Sequence, residues 1–191
     1  DSLQKSIEKL GFTAEDITDV ILTHLHFDHV GGAVKRDANG NFVPTFKNAT
    51  YWSTKSHWEW AVNPNPREKA SFLSENIFPI QQAEQLKFIE ENDILVDGLE
   101  LLVVNGHTEG QIIPIMDYKN QKVAFMADLV PSMGHLNLSY IPSYDTRPLI
   151  SMQEKDTFYQ KALQENIVLF FQHDPQIECC TIQTNENKVK G

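Results

Sequence analysis

Residues 19–32 read Asp-Val-Ile-Leu-Thr-His-Leu-His-Phe-Asp-His-Val-Gly-Gly, and this stretch decides both the fold class and the chemistry of the chain. Its first part, residues 19–23, is rich in branched aliphatic side chains, which predicts a short buried strand. The polar part follows at once, with three histidines and one aspartate within six residues. The polar residues are therefore expected on a loop at the carboxyl end of a strand, where α/β proteins tend to place their functional groups.

The side chains of His24, His26, Asp28 and His29 predict a metal site. Imidazole and carboxylate groups are the ligands that borderline divalent metals such as zinc prefer. On an extended segment, positions 24, 26 and 28 point the same way, and Gly31-Gly32 lets the backbone bend so that residue 29 can join them. From the spacing alone, His24 and His26 would bind one ion, and Asp28 and His29 a second.

One loop cannot complete two coordination shells, because each zinc takes about four ligands. His107, Asp128 and His173 each follow a predicted strand, and we expect them to converge with the loop at one sheet edge. A lone histidine in such a position is more often a surface or capping residue, but the 24–29 cluster favours ligands here. His57 lies in a tryptophan-rich helical stretch, which favours a packing or surface role. His135 lies in an irregular segment, where a surface role is favoured over a substrate contact.

Length and composition predict one globular domain over residues 1–191. The formal net charge of -10 argues against nucleic acid and anionic membranes as partners. The expected partner is a small-molecule substrate, and a homodimer is the assembly to test. No apolar run approaches the ~18 residues of a membrane span. The adjacent Cys179 and Cys180 suit reduced thiols and hence the cytoplasm, although a chain that begins at Asp1 without Met leaves a lost targeting segment open.

Hydrophobic periodicity and turn residues predict alternating helices and strands, which together indicate a layered α/β sandwich. The helices are expected at residues 2–10, around 57–60, at 67–76 and at Pro148–Glu165, and the strands at 19–23, 49–53, 86–90, 93–96, 99–104, 112–118, 123–126, 167–171 and 179–183, with a turn or hairpin over 37–48.

The segment from His24 to Gly32 resembles the HxHxDH signature of the metallo-β-lactamase superfamily, and the first motif is highly specific. Gly106-His-Thr-Glu-Gly110 is similar to the GHT-x-G loop of that family. Ala127-Asp128 stands where the family has its bridging aspartate, and Gln172-His173 where it has its last histidine. The order and approximate gaps match over residues 19–175, which is most of the chain.

The resemblance implies a four-layer αβ/βα sandwich with two divalent ions at one edge. By that resemblance His24, His26 and His107 hold the first ion, Asp28, His29 and His173 hold the second, and Asp128 bridges both. Zinc is the metal expected, with Mn²⁺, Fe²⁺ and Co²⁺ as alternatives. Glu109 replaces a common proline and Ala127 a common glycine. Only about 20 residues precede the first motif, so the sandwich is expected to lack the N-terminal strands of the family.

The ligand set predicts hydrolysis by a metal-bridging hydroxide, with Asp28 and Asp128 as the catalytic carboxylates. His26 stands where redox di-iron members carry glutamate, which disfavours a flavo-diiron oxidoreductase. Asp128 stands where many zinc β-lactamases carry cysteine, which disfavours antibiotic hydrolysis. Residues 127–148 resemble the lactonase-like and organophosphate-hydrolase-like branch, with Pro131 where many lactonases have tyrosine.

A lactone- or ester-cleaving enzyme is therefore the leading hypothesis. His135, Tyr140 and Tyr144 are the candidate substrate contacts, although packing is favoured for each tyrosine. A glyoxalase II-like thioesterase is the second hypothesis, and the tail supplies only Lys188 and Lys190 as basic residues for glutathione. The third is a non-catalytic metal-binding member of the fold, and the complete ligand set argues against it.

Overall fold

A computed structural model describes residues 3–89, 95–185 and 188–190. The chain divides into two compact units, Asp1–Glu91 and Asn92–Gly191, and each has its own hydrophobic core. Each unit combines strands with helices, so the α/β class is confirmed. The expectation of one domain over 1–191 stays a prediction. No helix in the described ranges is long and apolar enough to cross a membrane.

In the described part of the first unit, residues 3–89, there are four α-helices and five strands. In chain order they are α1 Leu3–Lys9, β1 Asp19–Ile21, α2 Phe27–Val30, β2 Val34–Arg36, β3 Phe42–Pro44, β4 Thr50–Ser53, α3 Lys55–Val62, α4 Ser74–Gln82 and β5 Leu86–Phe88.

Strands β1, β4 and β5 form a parallel three-stranded sheet in the order β1-β4-β5, and β2 and β3 form a separate hairpin. The carboxyl ends of parallel strands lie at one edge of a sheet. The histidine motif after β1 and helix α3 after β4 therefore start at the same edge. Tyr51 in β4 is fully buried, and its hydroxyl accepts from the Phe46 amide (2.9 Å) and donates to the Ala33 carbonyl (3.2 Å). This hydroxyl ties the chain just after the motif to the central strand.

Within its described residues, the second unit has a five-stranded sheet with one long helix packed on it, and a separate pair of antiparallel strands near its end. In chain order the elements are β6 Leu99–Val104, β7 Gln111–Tyr118, β8 Gln121–Phe125, α5 Pro148–Glu165, β9 Val168–Phe170, β10 Cys179–Cys180, β11 Gln183–Asn185 and β12 Lys188–Lys190.

The sheet order is β10-β9-β8-β7-β6, with β8 and β9 parallel and the other pairs antiparallel. Lys119 and Asn120 both have positive φ in the turn between β7 and β8, as a two-residue hairpin turn requires. The core of this unit joins residues of α5, such as Phe158 and Tyr159, to Ile113 and Leu169 of the sheet. Both cysteines are free thiols.

Most predicted elements are confirmed, and α5 has the predicted bounds. The helix predicted at 67–76 is wrong, because this region forms turns and α4 begins only at Ser74. The side-chain oxygen of Asn65 accepts from the amides of Arg67 (2.9 Å) and Glu68 (3.2 Å), which provides a local alternative to a helix. The strand predicted at 93–96 falls partly outside the described residues, and 95–98 form a bend and a turn.

Lys155 anchors the segment 133–140 to helix α5. The residue is fully buried, and its ammonium donates to the carbonyls of His135 (2.7 Å), Asn137 (2.9 Å) and Tyr140 (3.1 Å). The Tyr159 hydroxyl donates to the Leu136 carbonyl in the same segment (2.9 Å). Burial lowers the pKa of Lys155 to about 8, against the opposing charge of Asp145. An irregular segment is thus held by one buried cation.

Replacement of Lys155 by methionine is expected to lower the free energy of unfolding by about 2–4 kcal/mol, because three carbonyl oxygens would lose a charged donor. Chemical denaturation measures this difference. Lys161→Met on the same helix is the control, because Lys161 makes partly exposed ion pairs with Glu165 and Glu100, and a loss under about 1 kcal/mol is expected. Equal losses in the two variants would contradict the anchoring role.

The lowered pKa of Lys155 also predicts a pH dependence of stability. Between pH 8 and 10.5 the folded state has released this proton while the unfolded state still holds it, so the free energy of unfolding gains a component that rises with pH. The difference between wild type and Lys155→Met should therefore grow by up to about 3 kcal/mol over that range. A difference that stays constant from pH 7 to 10.5 would show that burial does not shift this lysine.

Candidate metal centre

The histidine motif of the first unit turns from a loop into a short helix. Strand β1 ends at Ile21, and His26 is the N-cap of α2, with its carbonyl accepting from the amides of His29 and Val30 (both 3.0 Å). The segment is therefore not extended as far as residue 28, and that part of the alternation argument is wrong. The helical turn instead brings His29 back towards His24.

The imidazole rings of His26 and His29 both lie close to that of His24. The ring centroids of His24 and His26 are 4.7 Å apart, and those of His24 and His29 are 3.9 Å apart. The Asp28 carboxylate lies 3.6 Å from His29 Nε2, and 42% of the Asp28 side chain is exposed. The neutral form of an imidazole carries one nitrogen with a free lone pair. The nitrogen lone pairs of these rings and the carboxylate are a donor set that suits a divalent cation.

His57 holds the backbone of the motif. It is fully buried, and its Nε2 accepts from the amide of Leu25, between His24 and His26, at 2.8 Å. Its own amide donates to the Thr54 hydroxyl, the N-cap of α3 (3.1 Å). Of the two predicted roles, packing or surface, the burial of His57 supports packing. The structure adds a hydrogen bond that the sequence did not indicate.

Glu68 contacts the motif from the turn before α4. It is 3% exposed, and its Oε1 lies 3.2 Å from His26 Nε2. Its Oε2 accepts from Trp60 Nε1 and Asn65 Nδ2, both at 2.6 Å. Glu68 is not among the residues predicted from the sequence, because a lone glutamate in an Asn- and Pro-rich turn carries no motif. Its distance of 42 residues from His26 hides the pairing.

In the second unit, Asp128 lies between two histidines. Its Oδ2 is 3.3 Å from His107 Nε2 and its Oδ1 is 3.2 Å from His173 Nε2. Asp128 follows β8 through Ala127, which has φ 41°, a left-handed conformation that costs a residue with a Cβ roughly 1–2 kcal/mol. The His173 amide donates to the Pro131 carbonyl (3.0 Å), which ties the end of β9 to the segment after Asp128. Three predicted ligands of this unit are thus brought together.

The ring of His107 is oriented by a second carboxylate. Its Nδ1 lies 3.0 Å from Asp145 Oδ1, and Asp145 Oδ2 accepts from the Ser151 hydroxyl (2.5 Å). Asp145 is 3% exposed. In a neutral ring, a hydrogen bond from Nδ1–H to Asp145 would leave the lone pair on Nε2, which faces the second carboxylate, that of Asp128 (3.3 Å). Asp145 had no assigned role in the sequence analysis, because only the fold places it beside His107.

The loop that carries His107 is held by the first turns of α5. The Glu154 carboxylate accepts from the amides of Asn105 (2.6 Å) and Gly106 (2.9 Å), and the Gly106 carbonyl accepts from the Arg147 amide (2.8 Å). Burial raises the pKa of Glu154, and the two amide donors oppose that shift. A Cβ on Gly106 would lie 2.3 Å from the Ser151 amide nitrogen. Glycine is therefore required here by the close approach of two backbones.

The candidate substrate contacts have different surroundings. Tyr144 is half exposed, and its ring is perpendicular to that of His107 with centroids 5.5 Å apart. His135 Nδ1 is 2.8 Å from the Ser132 hydroxyl, and burial, together with the charge of Lys155, lowers its pKa. Tyr140 exposes 58% of its surface, and its carbonyl is held by Lys155. The structure thus places Tyr144 beside a predicted ligand, and all three roles stay predictions.

Each unit therefore presents histidine and aspartate side chains at strand ends, as metal-dependent α/β proteins do. The family model of the metallo-beta-lactamase superfamily matches residues 1–173. The chain belongs to this superfamily, and the resemblance drawn from the motifs is confirmed.

Curated relatives and solved structures agree with this assignment. An N-acyl homoserine lactonase of Bacillus sp is 26% identical over 179 residues, which cover 93% of this chain and 64% of the relative. The N-acyl homoserine lactonase AttM of Rhizobium radiobacter is 22% identical and covers 88% and 62%. The chain thus spans less than two thirds of the length of these relatives.

Among solved structures, a probable metal-dependent hydrolase from Staphylococcus aureus matches with a TM-score of 0.83 and 25% identity, over 97% of this chain and 65% of that one. The dizinc quorum-quenching lactonase AidC, bound to a product, matches with a TM-score of 0.81 and 23% identity, over 98% and 68%. The fold is therefore that of the metallo-β-lactamase-fold hydrolases.

Replacement of Gly106 by alanine tests the packing of the His107 loop against α5. We expect a loss of about 3 kcal/mol or more in the free energy of unfolding, since two backbones would have to separate. Gly134→Ala is the matched control, because the added Cβ would meet only the Ser132 hydroxyl oxygen at 3.5 Å. Thermal or urea denaturation compares the two, and a Gly106→Ala protein as stable as wild type would contradict the described contact.

Proposed function

We propose that this chain is the metal-binding part of a hydrolase that opens a lactone or cleaves a related ester bond with the help of two divalent cations. The observation that carries the proposal is the position of Asp128, with one carboxylate oxygen towards His107 and the other towards His173. A carboxylate so placed can bind two cations, one on each oxygen. Membership of the superfamily and the lactonase relatives support the reaction class.

We assign seven ligands to the two cations. His24, His26 and His107 are proposed for the first, Asp28, His29 and His173 for the second, and Asp128 for both. Support comes from the order of the family motifs, and from the grouping of the donors within each unit. Nitrogen and oxygen donors of this kind suit zinc, and they also accept Mn²⁺, Fe²⁺ or Co²⁺.

When bound, such cations would act as Lewis acids and would supply hydroxide from water at neutral pH. The protein side chains would supply the orientation and the proton transfers. Asp128 is 4% exposed, so its carboxylate would keep a fixed orientation. It could take the remaining proton of the attacking hydroxide and pass it to the leaving oxygen. Tyr144, beside His107, has a phenol that can donate to the carbonyl oxygen of an ester.

The substrate class follows from the relatives and from the charge. The named relatives are N-acyl homoserine lactonases, and we propose an uncharged lactone or ester of small size as the substrate. The net charge of -10 makes the surface outside the proposed cation site repel polyanionic substrates. The partner is therefore proposed to be a small molecule.

The proposal is tested by metal analysis and by an activity screen. Purified protein is expected to bind two equivalents of zinc, to hydrolyse lactones faster than thioesters, phosphotriesters or β-lactams, and to lose that activity to a chelator and regain it with zinc or manganese. Full activity in metal-free protein would overturn the proposal, and a preference for thioesters would favour the glyoxalase II-like alternative.

Asp128→Asn is the informative variant, because it keeps the shape of the side chain and removes one anionic ligand. We expect the loss of one equivalent of metal and a fall of at least ~100-fold in kcat/KM, which corresponds to about 3 kcal/mol. Asp156→Asn, at an exposed position of α5, is the control and should match wild type. Retention of both metals and of the rate in Asp128→Asn would contradict the bridging role.

A further inference from the structure

The buried carboxylate of Glu68 has a geometry that constrains His26 more tightly than a packing contact would. The two carboxylate oxygens of Glu68 have different partners: Oε1 faces His26 Nε2, and Oε2 accepts from Trp60 and Asn65. The side chain of Glu68 is 4% exposed and that of His26 10% exposed, so water can replace little of this network. Such a carboxylate in a polar network fixes its neighbours in one arrangement.

The turn that carries Glu68 is itself fastened to the motif. The Phe27 amide, at the start of α2, donates to the Ser71 carbonyl (2.8 Å), and the Phe72 ring lies 4.8 Å from the His26 ring between centroids. The Ser71 amide in turn donates to the Glu68 carbonyl (2.7 Å). The distance between Glu68 and His26 is therefore set by backbone hydrogen bonds on both sides of the pair.

We propose that Glu68 is a positioning residue for metal binding, which holds His26 in the tautomer with hydrogen on Nε2 and the lone pair on Nδ1. A carboxylate can only accept, so Nε2 must carry the hydrogen in this contact. In a neutral imidazole Nδ1 is then the ligand atom. The inference rests on the proposed metal centre. His107 differs, since both of its ring nitrogens face a carboxylate, Asp145 at Nδ1 and Asp128 at Nε2.

The isosteric variant Glu68→Gln gives a sharp test, because the two donors on Oε2 decide how the new amide turns. Trp60 Nε1–H and Asn65 Nδ2–H are both donors at 2.6 Å, so the side-chain oxygen of the introduced glutamine must stay on their side. The amide NH₂ of that glutamine then faces His26 Nε2 and donates to it. The variant therefore favours the opposite tautomer, with hydrogen on Nδ1, where it blocks the proposed ligand atom.

The tautomer is read directly by long-range ¹H–¹⁵N correlation spectra of the metal-free protein. Wild type should show His26 with hydrogen on Nε2, and Glu68→Gln should show it on Nδ1. This readout needs no metal, so it tests Glu68 even if the proposed function fails. Wild-type His26 with hydrogen on Nδ1 would overturn the inference. This measurement on wild type remains decisive even if the variant does not fold.

Metal affinity is the second readout, with zinc titrated against a chromophoric chelator. Glu68→Gln should weaken one of two sites by about 10–100-fold and leave the other near its wild-type affinity, as the loss of an outer hydrogen-bond partner typically does. Glu59→Gln is the matched control, because Glu59 is an exposed glutamate of α3, and it should bind as wild type does.

The outcomes separate the two proposals. A folded Glu68→Gln protein with unchanged affinity at both sites would show that Glu68 is only structural. If wild type binds no metal, the proposed function fails, and the tautomer measurement still decides whether Glu68 controls His26.

Discussion

The proposed metal centre depends on one constraint: a buried imidazole can bind a cation only if it directs a nitrogen lone pair at a fixed position. A buried histidine left alone can rotate, change tautomer or take up a proton. In the first unit, Glu68 contacts His26 and His57 holds the Leu25 amide. In the second unit, Asp145 contacts His107. The donors come from the motifs, whereas the carboxylates that contact His26 and His107 come from other parts of the chain.

The fold supplies these supports from elements that are distant in sequence. Helix α5 alone contributes the Ser151 hydroxyl to Asp145, the Glu154 carboxylate to the His107 loop, and Lys155 to the segment 133–140. These contacts bury charged groups, which is costly unless each is hydrogen-bonded. Side chains of α5 thus hold the His107 loop and the segment 133–140 by hydrogen bonds. Phe158 and Tyr159 of the same helix pack in the core of the sheet.

Most helices and strands, and the proposed metal ligands at 24–29, could be predicted from the sequence because their signals are local. Strand β1, the hairpin of β7 and β8, and helix α5 have strong local patterns, and the four donors at 24–29 stand close together in the chain. The supports were not accessible, since Glu68 and Asp145 are ordinary acidic residues until the fold brings them to His26 and His107. The helix predicted at 67–76 is wrong for a related reason. The Asn65 side-chain oxygen accepts hydrogen bonds from two amides that the periodic pattern assigned to a helix.

The central claim is that seven side chains hold two cations with Asp128 shared between them. Anomalous diffraction from crystals of the zinc-loaded chain tests it most directly. The account predicts two anomalous peaks, each within about 2.0–2.2 Å of an Asp128 oxygen and of histidine nitrogens. A single peak, or two peaks of which Asp128 touches only one, would contradict it.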